Sequence, residues 1–301
     1  MQITSIDHLE QLSDAELKEV ISLIRVKADL IQQMKMDGAR TGLTLDDYND
    51  ILRKRKPEEC KTCRGEGLLA PPKPREIGVI HPSSAYKCVL RLYYDVTGEI
   101  APKEYIKPEL AITFAMGHAI HDVVQGALHR CYPDGDFVDE APIDMAGFIR
   151  GNTDGIIFID IVLKSGKKLT VKVVLEIKTA GPSTYDGLRS PVKEHRLQAG
   201  GLYATALDAP FTVYLYVSKI WPHPLKEFVE VYDPGTFAGW WKRKGSTVER
   251  ALEDRNAGVK FPEPLADAKP SECGDCSYEY ACKASLAKKR APFARTRSTK
   301  K

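Results

Sequence analysis

The chain alternates between segments typical of helices and segments typical of strands. Helical spacing of apolar residues, or a helix cap, occurs in five segments: residues 13–36, 83–96, 107–132, 193–207 and 236–255. Branched and aromatic residues typical of strands are concentrated in residues 137–159, 173–180, 211–219 and 227–233. This order, without an internal repeat, predicts an α/β fold: a mixed central β-sheet flanked by helices, preceded by an N-terminal helical extension.

Two charged residues interrupt the otherwise apolar run VVLEIKTA (173–180). Glu176 and Lys178 are two positions apart, so a strand places both on one face, where burial of an unpaired charge is costly. The turn KSGKK (164–168) predicts a hairpin that brings Asp154 alongside them. Two carboxylates and a lysine on one face suit a hard divalent cation, with Lys178 placed to orient or polarise a water molecule.

The composition is that of a globular protein, with 28% charged and 43% hydrophobic residues. The apolar runs are too short to cross a membrane, and the N-terminus has acids where a signal peptide needs an apolar core. We therefore expect a cytoplasmic protein that does not act at a membrane.

Positive charge is concentrated at the C-terminus. Residues 288–301 contain seven lysines and arginines and no acid, and without these seven charges the net charge of +3 becomes −4. The tail is either an electrostatic arm for a polyanion or a solubilising terminus.

With the Pro-rich APPKP as a boundary, we expect four regions: N-terminal helices (1–56), a CxxC segment and linker (57–76), the main domain (77–287) and the basic tail (288–301).

Seven cysteines in a chain expected to be cytoplasmic indicate metal binding rather than disulfides. Three of them form a C-x2-C-x5-C motif at Cys273, Cys276 and Cys282, which needs a fourth ligand, and Cys88 is the candidate. Four thiolates suit both zinc and an iron–sulfur cluster, and the spacing does not separate the two.

The motif CKTCRGEG contains Cys60 and Cys63 and resembles one half of a zinc repeat of the DnaJ-type chaperones. Only two zinc ligands are local. Either a partner chain or a distant residue completes a zinc site, or the segment is a tight turn with two unmetallated thiols. Cys131 is interpreted as a core thiol at a helix end.

Four motifs, in this order, resemble the PD-(D/E)xK nuclease superfamily and specifically its RecB-like branch. They are GHAIH (117–121), Asp154 beside a strand, the E-x-K of residues 176–178, and EHRLQAGGLY (194–203). The resemblance implies a restriction-endonuclease-like core that uses Mg²⁺ or Mn²⁺.

The resemblance also implies a role for each residue. The metal ligands would be His121, Asp154, Glu176 and the backbone carbonyl of Ile177. Lys178 would be the catalytic lysine, and Gln198 and Tyr203 would form a motif beside the site. Taken singly, the residues also have structural interpretations: a core histidine, a turn aspartate, and a lysine that pairs only with its neighbouring glutamate.

The Gln–Tyr pair departs from the family pattern, in which the two residues are four apart. Gln198 and Tyr203 are five apart, which on an ideal α-helix is a rotation of about 140°. Either Gly200 and Gly201 distort the helix, or Tyr203 does not take the family role.

One early cysteine followed by a late triplet resembles the iron–sulfur nucleases, which include the CRISPR-associated Cas-four exonucleases and the AddB-type helicase–nucleases. This resemblance covers about residues 80–285. It implies that Cys88, Cys273, Cys276 and Cys282 hold a 4Fe-4S cluster that joins the two ends of the domain and contributes to folding.

The sequence thus predicts a Mg²⁺- or Mn²⁺-dependent exonuclease that hydrolyses phosphodiester bonds in single-stranded DNA or at DNA ends. Recombination, repair, phage DNA processing and CRISPR adaptation are open as pathways. The alternatives are a non-catalytic iron–sulfur DNA-binding subunit and a zinc-stabilised adaptor. DNA is the expected partner, the N-terminal helices are a candidate surface for a protein partner, and the oligomeric state is left open.

Overall fold

The computed structural model describes residues 1–28, 78–99, 108–132, 135–219 and 225–258, together with residues 276–278, 280 and 282; for residues 108–115 it describes the backbone only. The strands are β1 (Gln2–Ile3), β2 (Phe137–Asp139), β3 (Pro142–Met145), β4 (Ile149–Asn152), β5 (Gly155–Val162), β6 (Lys168–Ala180), β7 (Phe211–Ser218) and β8 (Lys226–Val231).

The α-helices are α1 (Asp14–Ala28), α2 (Val89–Thr97), α3 (Pro108–Cys131), α4 (Pro182–Gly187), α5 (Lys193–His195), α6 (Ala204–Ala206), α7 (Pro234–Trp240) and α8 (Ser246–Asn256). Two π-helices are inserted among them, π1 (Arg196–Tyr203) and π2 (Trp241–Gly245). Two 3₁₀ helices cover Ile6–Gln11 and Pro82–Ser84.

The central sheet is mixed, with strand order β2-β5-β6-β7-β8, and β1 pairs with β6 as well. The predicted turn at residues 164–168 joins β5 and β6 as an antiparallel hairpin, whereas β6 and β7 are parallel. Strands β3 and β4 form a separate two-stranded sheet. The α/β prediction, with a mixed sheet flanked by helices, is therefore confirmed.

Strand β6 separates two apolar layers because its side chains alternate between the faces of the sheet. Val173 and Leu175 belong to the layer that also contains side chains of α1 and α3. Val174 and Ala180 belong to the opposite layer, which is formed with π1, α7 and α8. Glu176 and Lys178 share the parity of Val174, so they lie on this second face.

The N-terminal residues pack against the same sheet. The capping box is confirmed, because the Ser13 amide donates to Glu16 and the Glu16 amide donates to Oγ of Ser13. Val20 and Ile24 are fully buried in the layer beneath β6. The predicted helix over 13–36 is observed as far as Ala28. The rest of it, the segment 57–76, the boundary before residue 77 and the tail 288–301 lie outside the described residues.

The helix predicted over 83–96 begins later than its serine cap suggested. The chain forms a 3₁₀ turn at Pro82–Ser84, and α2 then begins at Val89 with Cys88 at the N-cap. The Ala85 carbonyl accepts a 2.8 Å hydrogen bond from the Trp240 indole, and the Tyr86 and Lys87 carbonyls accept bonds from the Lys244 ammonium. These carbonyls are thereby bonded to distant side chains.

The part of the chain that the structure describes has no helix with the length and apolar character needed to cross a membrane.

Candidate active site

The candidate active site lies at the end of the β5–β6 hairpin. The register pairs Gly155 with Leu175, so Asp154 lies opposite Glu176 just beyond the last pair. Lys178 follows on the same face of β6, and its ammonium contacts Oε1 of Glu176. The hairpin therefore brings Asp154, Glu176 and Lys178 together as predicted.

Asp154 is held by groups from α3 and β6. Its Oδ2 accepts a 2.6 Å hydrogen bond from the Ile177 amide, and its Oδ1 lies 3.4 Å from Nδ1 of His121. Its carbonyl accepts a 2.9 Å hydrogen bond from the side chain of Gln125. His121 and Gln125 are four positions apart, so the same face of α3 presents both to Asp154.

Glu176 is the most deeply buried charge of the site, with an exposed side-chain fraction of 0%. Its Oε1 contacts Lys178, whereas Oε2 accepts no hydrogen bond from any residue in the described ranges. A buried carboxylate oxygen without a partner is costly. The sequence pattern predicted the two charges on one face, and the structure adds that one oxygen is unsatisfied.

The pKa values reflect this burial and the close charges. Burial raises the pKa of Glu176 to about 7, and the positive charge of Lys178 opposes this shift. Burial also acts to raise the pKa of Asp154, but the hydrogen bond from His121 and the charge of Lys178 outweigh it, so the pKa is lowered. Burial acts to lower the pKa of Lys178, yet the two carboxylates raise it overall. At neutral pH Asp154 is ionised and Lys178 is protonated.

Within the described ranges, no three histidine, cysteine, aspartate or glutamate side chains form a ready metal-binding group. The predicted ligands are instead bonded to nearby groups: His121 faces Asp154, and Glu176 contacts Lys178. The donor chemistry nevertheless fits Mg²⁺ or Mn²⁺, because hard cations prefer oxygen ligands and the unsatisfied Oε2 of Glu176 lies beside the ionised Asp154. The carbonyl ligand at Ile177 stays a prediction.

The helix after the site has the distortion that the five-residue spacing requires. Residues Arg196–Tyr203 form π1, whose hydrogen bonds connect residues five apart. The side-chain amide of Gln198 donates to the hydroxyl of Tyr203 at 3.2 Å, and both side chains are buried. Of the two alternatives, the structure therefore has the distorted helix, and the two side chains act as a bonded pair.

Two residues without a predicted role lie beside Lys178: His195, which is inside the motif of residues 194–203, and Tyr216. Tyr216 is the register partner of Lys178 on β7, and its hydroxyl lies 2.8 Å from Nδ1 of His195. Burial, together with the charge of Lys178, lowers the pKa of His195 to about 4. His195 stands three positions before Gln198, but nothing in that spacing alone indicates a contact with β7. Gln125 was also missed, although it lies one helical turn after His121.

Three cysteines of the predicted cluster site lie within the described residues, beside α2. Cys88, Cys276 and Cys282 pack against one small apolar group: Leu90, Tyr93, Tyr94, Ala251 and Tyr278. The Tyr278 hydroxyl donates to Asp95 at 2.7 Å, which fastens the C-terminal segment to α2. Cys273, Cys60 and Cys63 lie outside the described residues. Cys88 from the start of the main region and Cys276 and Cys282 from its end therefore border the same apolar group, and their role as ligands of one cluster stays a prediction.

No protein-family model matches the chain, and no curated protein matches it. Among solved structures the chain is similar to one described as the crystal structure of SSO0001. The identity is 21%, the alignment covers 70% of this chain and 88% of that chain, and the TM-score is 0.38. A likeness of this size shows neither a shared fold nor a shared function.

Proposed function

We propose that the protein is a Mg²⁺- or Mn²⁺-dependent DNA exonuclease of the RecB-like, iron–sulfur type, with a restriction-endonuclease-like core. The observation that carries the proposal is the fully buried Glu176 with one unpartnered oxygen, beside an ionised Asp154 and a protonated Lys178. A protein that only bound DNA has no need to bury these charges together, because each costs stability.

In this proposal His121, Asp154, Glu176 and the carbonyl of Ile177 hold the metal, which when bound supplies Lewis-acid stabilisation of a phosphodiester and lowers the pKa of water. The residues of the chain do the positioning. Gln125 and the Ile177 amide fix Asp154, and burial gives the charge of Lys178 a low-dielectric surrounding in which it acts strongly on a water molecule or a phosphate oxygen.

The four thiolates of Cys88, Cys273, Cys276 and Cys282 would hold the 4Fe-4S cluster in a structural role. Two observations support this part of the proposal: four thiolates are the donor set of such a cluster, and three of these cysteines border one apolar group. The substrate is single-stranded DNA or DNA ends in recombination, repair or DNA processing, and the site of action is the cytoplasm.

End-labelled single- and double-stranded DNA, incubated with Mg²⁺ or Mn²⁺, tests this function. The wild-type protein should shorten the labelled strand, while Glu176→Gln and Lys178→Met should lower the rate by about a hundredfold or more. Lys178→Met should retain metal binding, because it removes no ligand.

Two matched variants control for general effects of charge removal. Asp160→Asn changes an exposed carboxylate on β5, and Lys168→Met changes an exposed lysine at the start of β6. Both should keep the wild-type rate. Wild-type protein that binds DNA without digesting it would favour the non-catalytic subunit, and purified protein with zinc but no iron would favour the adaptor.

A further inference from the structure

The hydroxyl of Tyr216 links the backbone before π1 to the side chain of His195. It accepts a 2.9 Å hydrogen bond from the Val192 amide and lies 2.8 Å from Nδ1 of His195. The two rings are also in contact, with centroids 5.6 Å apart. Tyr216 is buried, His195 is half-buried, and Tyr216 is the register partner of Lys178 across the β6–β7 pair.

The bond pattern favours one position for the proton of the histidine. A tyrosine hydroxyl has one proton, and the amide of Val192 already occupies one acceptor site of Tyr216. Its own proton is then available for Nδ1 of His195. A neutral imidazole has one N–H, so when Tyr216 donates to Nδ1 the imidazole N–H is on Nε2. The low pKa of His195 agrees with a neutral ring at pH 7.

The Nε2 atom of His195 has no bonding partner among the residues that the structure describes. The ring of His195 contacts Tyr216, which is the register partner of Lys178, so the imidazole lies near the catalytic face. An N–H donor fixed in one tautomer beside an ammonium is complementary to the non-bridging oxygens of a phosphodiester.

We propose that His195 is a substrate-binding residue of this site: its Nε2–H donates to a non-bridging phosphate oxygen of the DNA strand. Tyr216 is the positioning residue that holds the ring in the Nε2–H tautomer. The inference rests on the proposed nuclease function and adds the group that contacts the phosphate beside Lys178.

Single-turnover digestion of end-labelled DNA with three variants tests the contact. His195→Ala removes the donor and should lower kcat/KM by about tenfold or more, because a bond to a charged acceptor is lost. His195→Gln places an amide N–H near the position of Nε2 and should recover part of the loss. His129→Gln is the matched control, since His129 is exposed on α3 and faces Asp139 at 3.4 Å.

Nitrogen NMR of ¹⁵N-histidine-labelled protein measures the tautomer of His195. A purely structural role for this residue would not require one particular tautomer. The signal of His195 should show the Nε2–H tautomer in the wild type, and Tyr216→Phe should abolish this preference while lowering kcat/KM. Tyr232→Phe, which alters a hydroxyl bonded to Thr205, should leave both unchanged.

The outcomes separate the two proposals. A wild-type protein that does not digest DNA refutes the nuclease function and this inference with it. A wild-type protein that digests DNA, with His195→Ala within about twofold of its rate, refutes the inference alone, as does an Nδ1–H tautomer in the wild type.

Discussion

Glu176 shows how one residue can be unfavourable for folding and suited to chemistry. Its carboxylate is fully buried, and Oε2 has no partner in the described part of the chain. A raised pKa means that the folded protein retains a proton that the unfolded chain has already released. Between pH 4.5 and about 7, stability from this group therefore falls as the pH rises, because the folded state binds more protons.

In metal-free protein at pH 8, Glu176→Gln should therefore be more stable than the wild type, by about 1 to 3 kcal/mol in the free energy of unfolding. The difference should shrink toward zero near pH 5, where the wild-type carboxyl is protonated in the folded state. Urea unfolding of both proteins in the presence of a chelator, at several pH values, measures this. Adding Mg²⁺ or Mn²⁺ at pH 8 should make the wild type the more stable of the two proteins, because only the wild type is stabilised by the metal.

Asp160→Asn is the control for this series, because its carboxylate is exposed and its substitution should leave the pH dependence unchanged. An identical pH dependence in wild type and Glu176→Gln would mean that burial does not hold the pKa of this carboxyl above its usual value.

The residues of the site divide into those that local sequence reveals and those that it does not. Asp154, Glu176 and Lys178 were predictable because a short turn fixes the hairpin and alternation fixes the face. His195 and Tyr216 were not, because their contact requires the parallel pairing of β6 with β7, which no local pattern encodes. The register of a parallel pair depends on the whole crossover between the strands.

At the scale of elements, π1 is the feature on which the Gln198–Tyr203 pair depends. An α-helix would rotate residues five apart away from each other, whereas π1 joins these two side chains. Gly200 lies within π1, close to β7: a Cβ added there would be 2.5 Å from the hydroxyl oxygen of Tyr214. The glycine pair noted in the sequence therefore includes one residue whose lack of a side chain is required by packing.

Gly200→Ala should lower the free energy of unfolding by about 1 to 3 kcal/mol, since the methyl group and the Tyr214 hydroxyl cannot both be accommodated. Tyr214→Phe removes a buried hydroxyl that has no hydrogen bond within the described residues, so alone it should be near neutral. The double variant should recover much of the loss, because the clash is with the hydroxyl. Urea unfolding of the four proteins gives the coupling energy.

Gly187→Ala is the matched control, because a Cβ at that position meets no atom within 4 Å. Additive losses in the double variant would show that Gly200 is needed for the backbone of π1 rather than for the approach of Tyr214.

Element boundaries were predictable where local signals decide them. The capping box of α1 and the 164–168 turn formed as predicted, because their hydrogen bonds join near neighbours. The start of α2 was not predictable, since Trp240 and Lys244 bond the carbonyls that precede Cys88. The π-helices also escape a pattern of period 3.6, although the five-residue spacing of Gln198 and Tyr203 indicated one of them.

At the scale of the whole molecule, Cys88 near the start of the main region and Cys276 and Cys282 near its end border one apolar group. Cys88 is at the N-cap of α2, and the segment with Cys276 and Cys282 lies against the same helix through Tyr278. Lys244 bonds the two carbonyls before Cys88, so π2 also helps to position this cysteine. A bound cluster would close a long loop, and closing long loops limits the freedom of the unfolded chain.

Cys88→Ser should therefore lower both the iron content and the stability of protein purified without oxygen. The expected result is loss of the brown colour and of the broad visible absorption, because one of four thiolates is replaced by a poor ligand. Cys276→Ser should have the same effect, since both cysteines border one apolar group.

Cys131→Ser is the matched control: Cys131 ends α3 and is not in the predicted ligand set, so iron content should stay at the wild-type level. Iron and zinc are measured in each protein by mass spectrometry, together with thermal unfolding. Normal iron in Cys88→Ser would remove Cys88 from the site, and zinc in place of iron in the wild type would make the centre a tetrahedral zinc site.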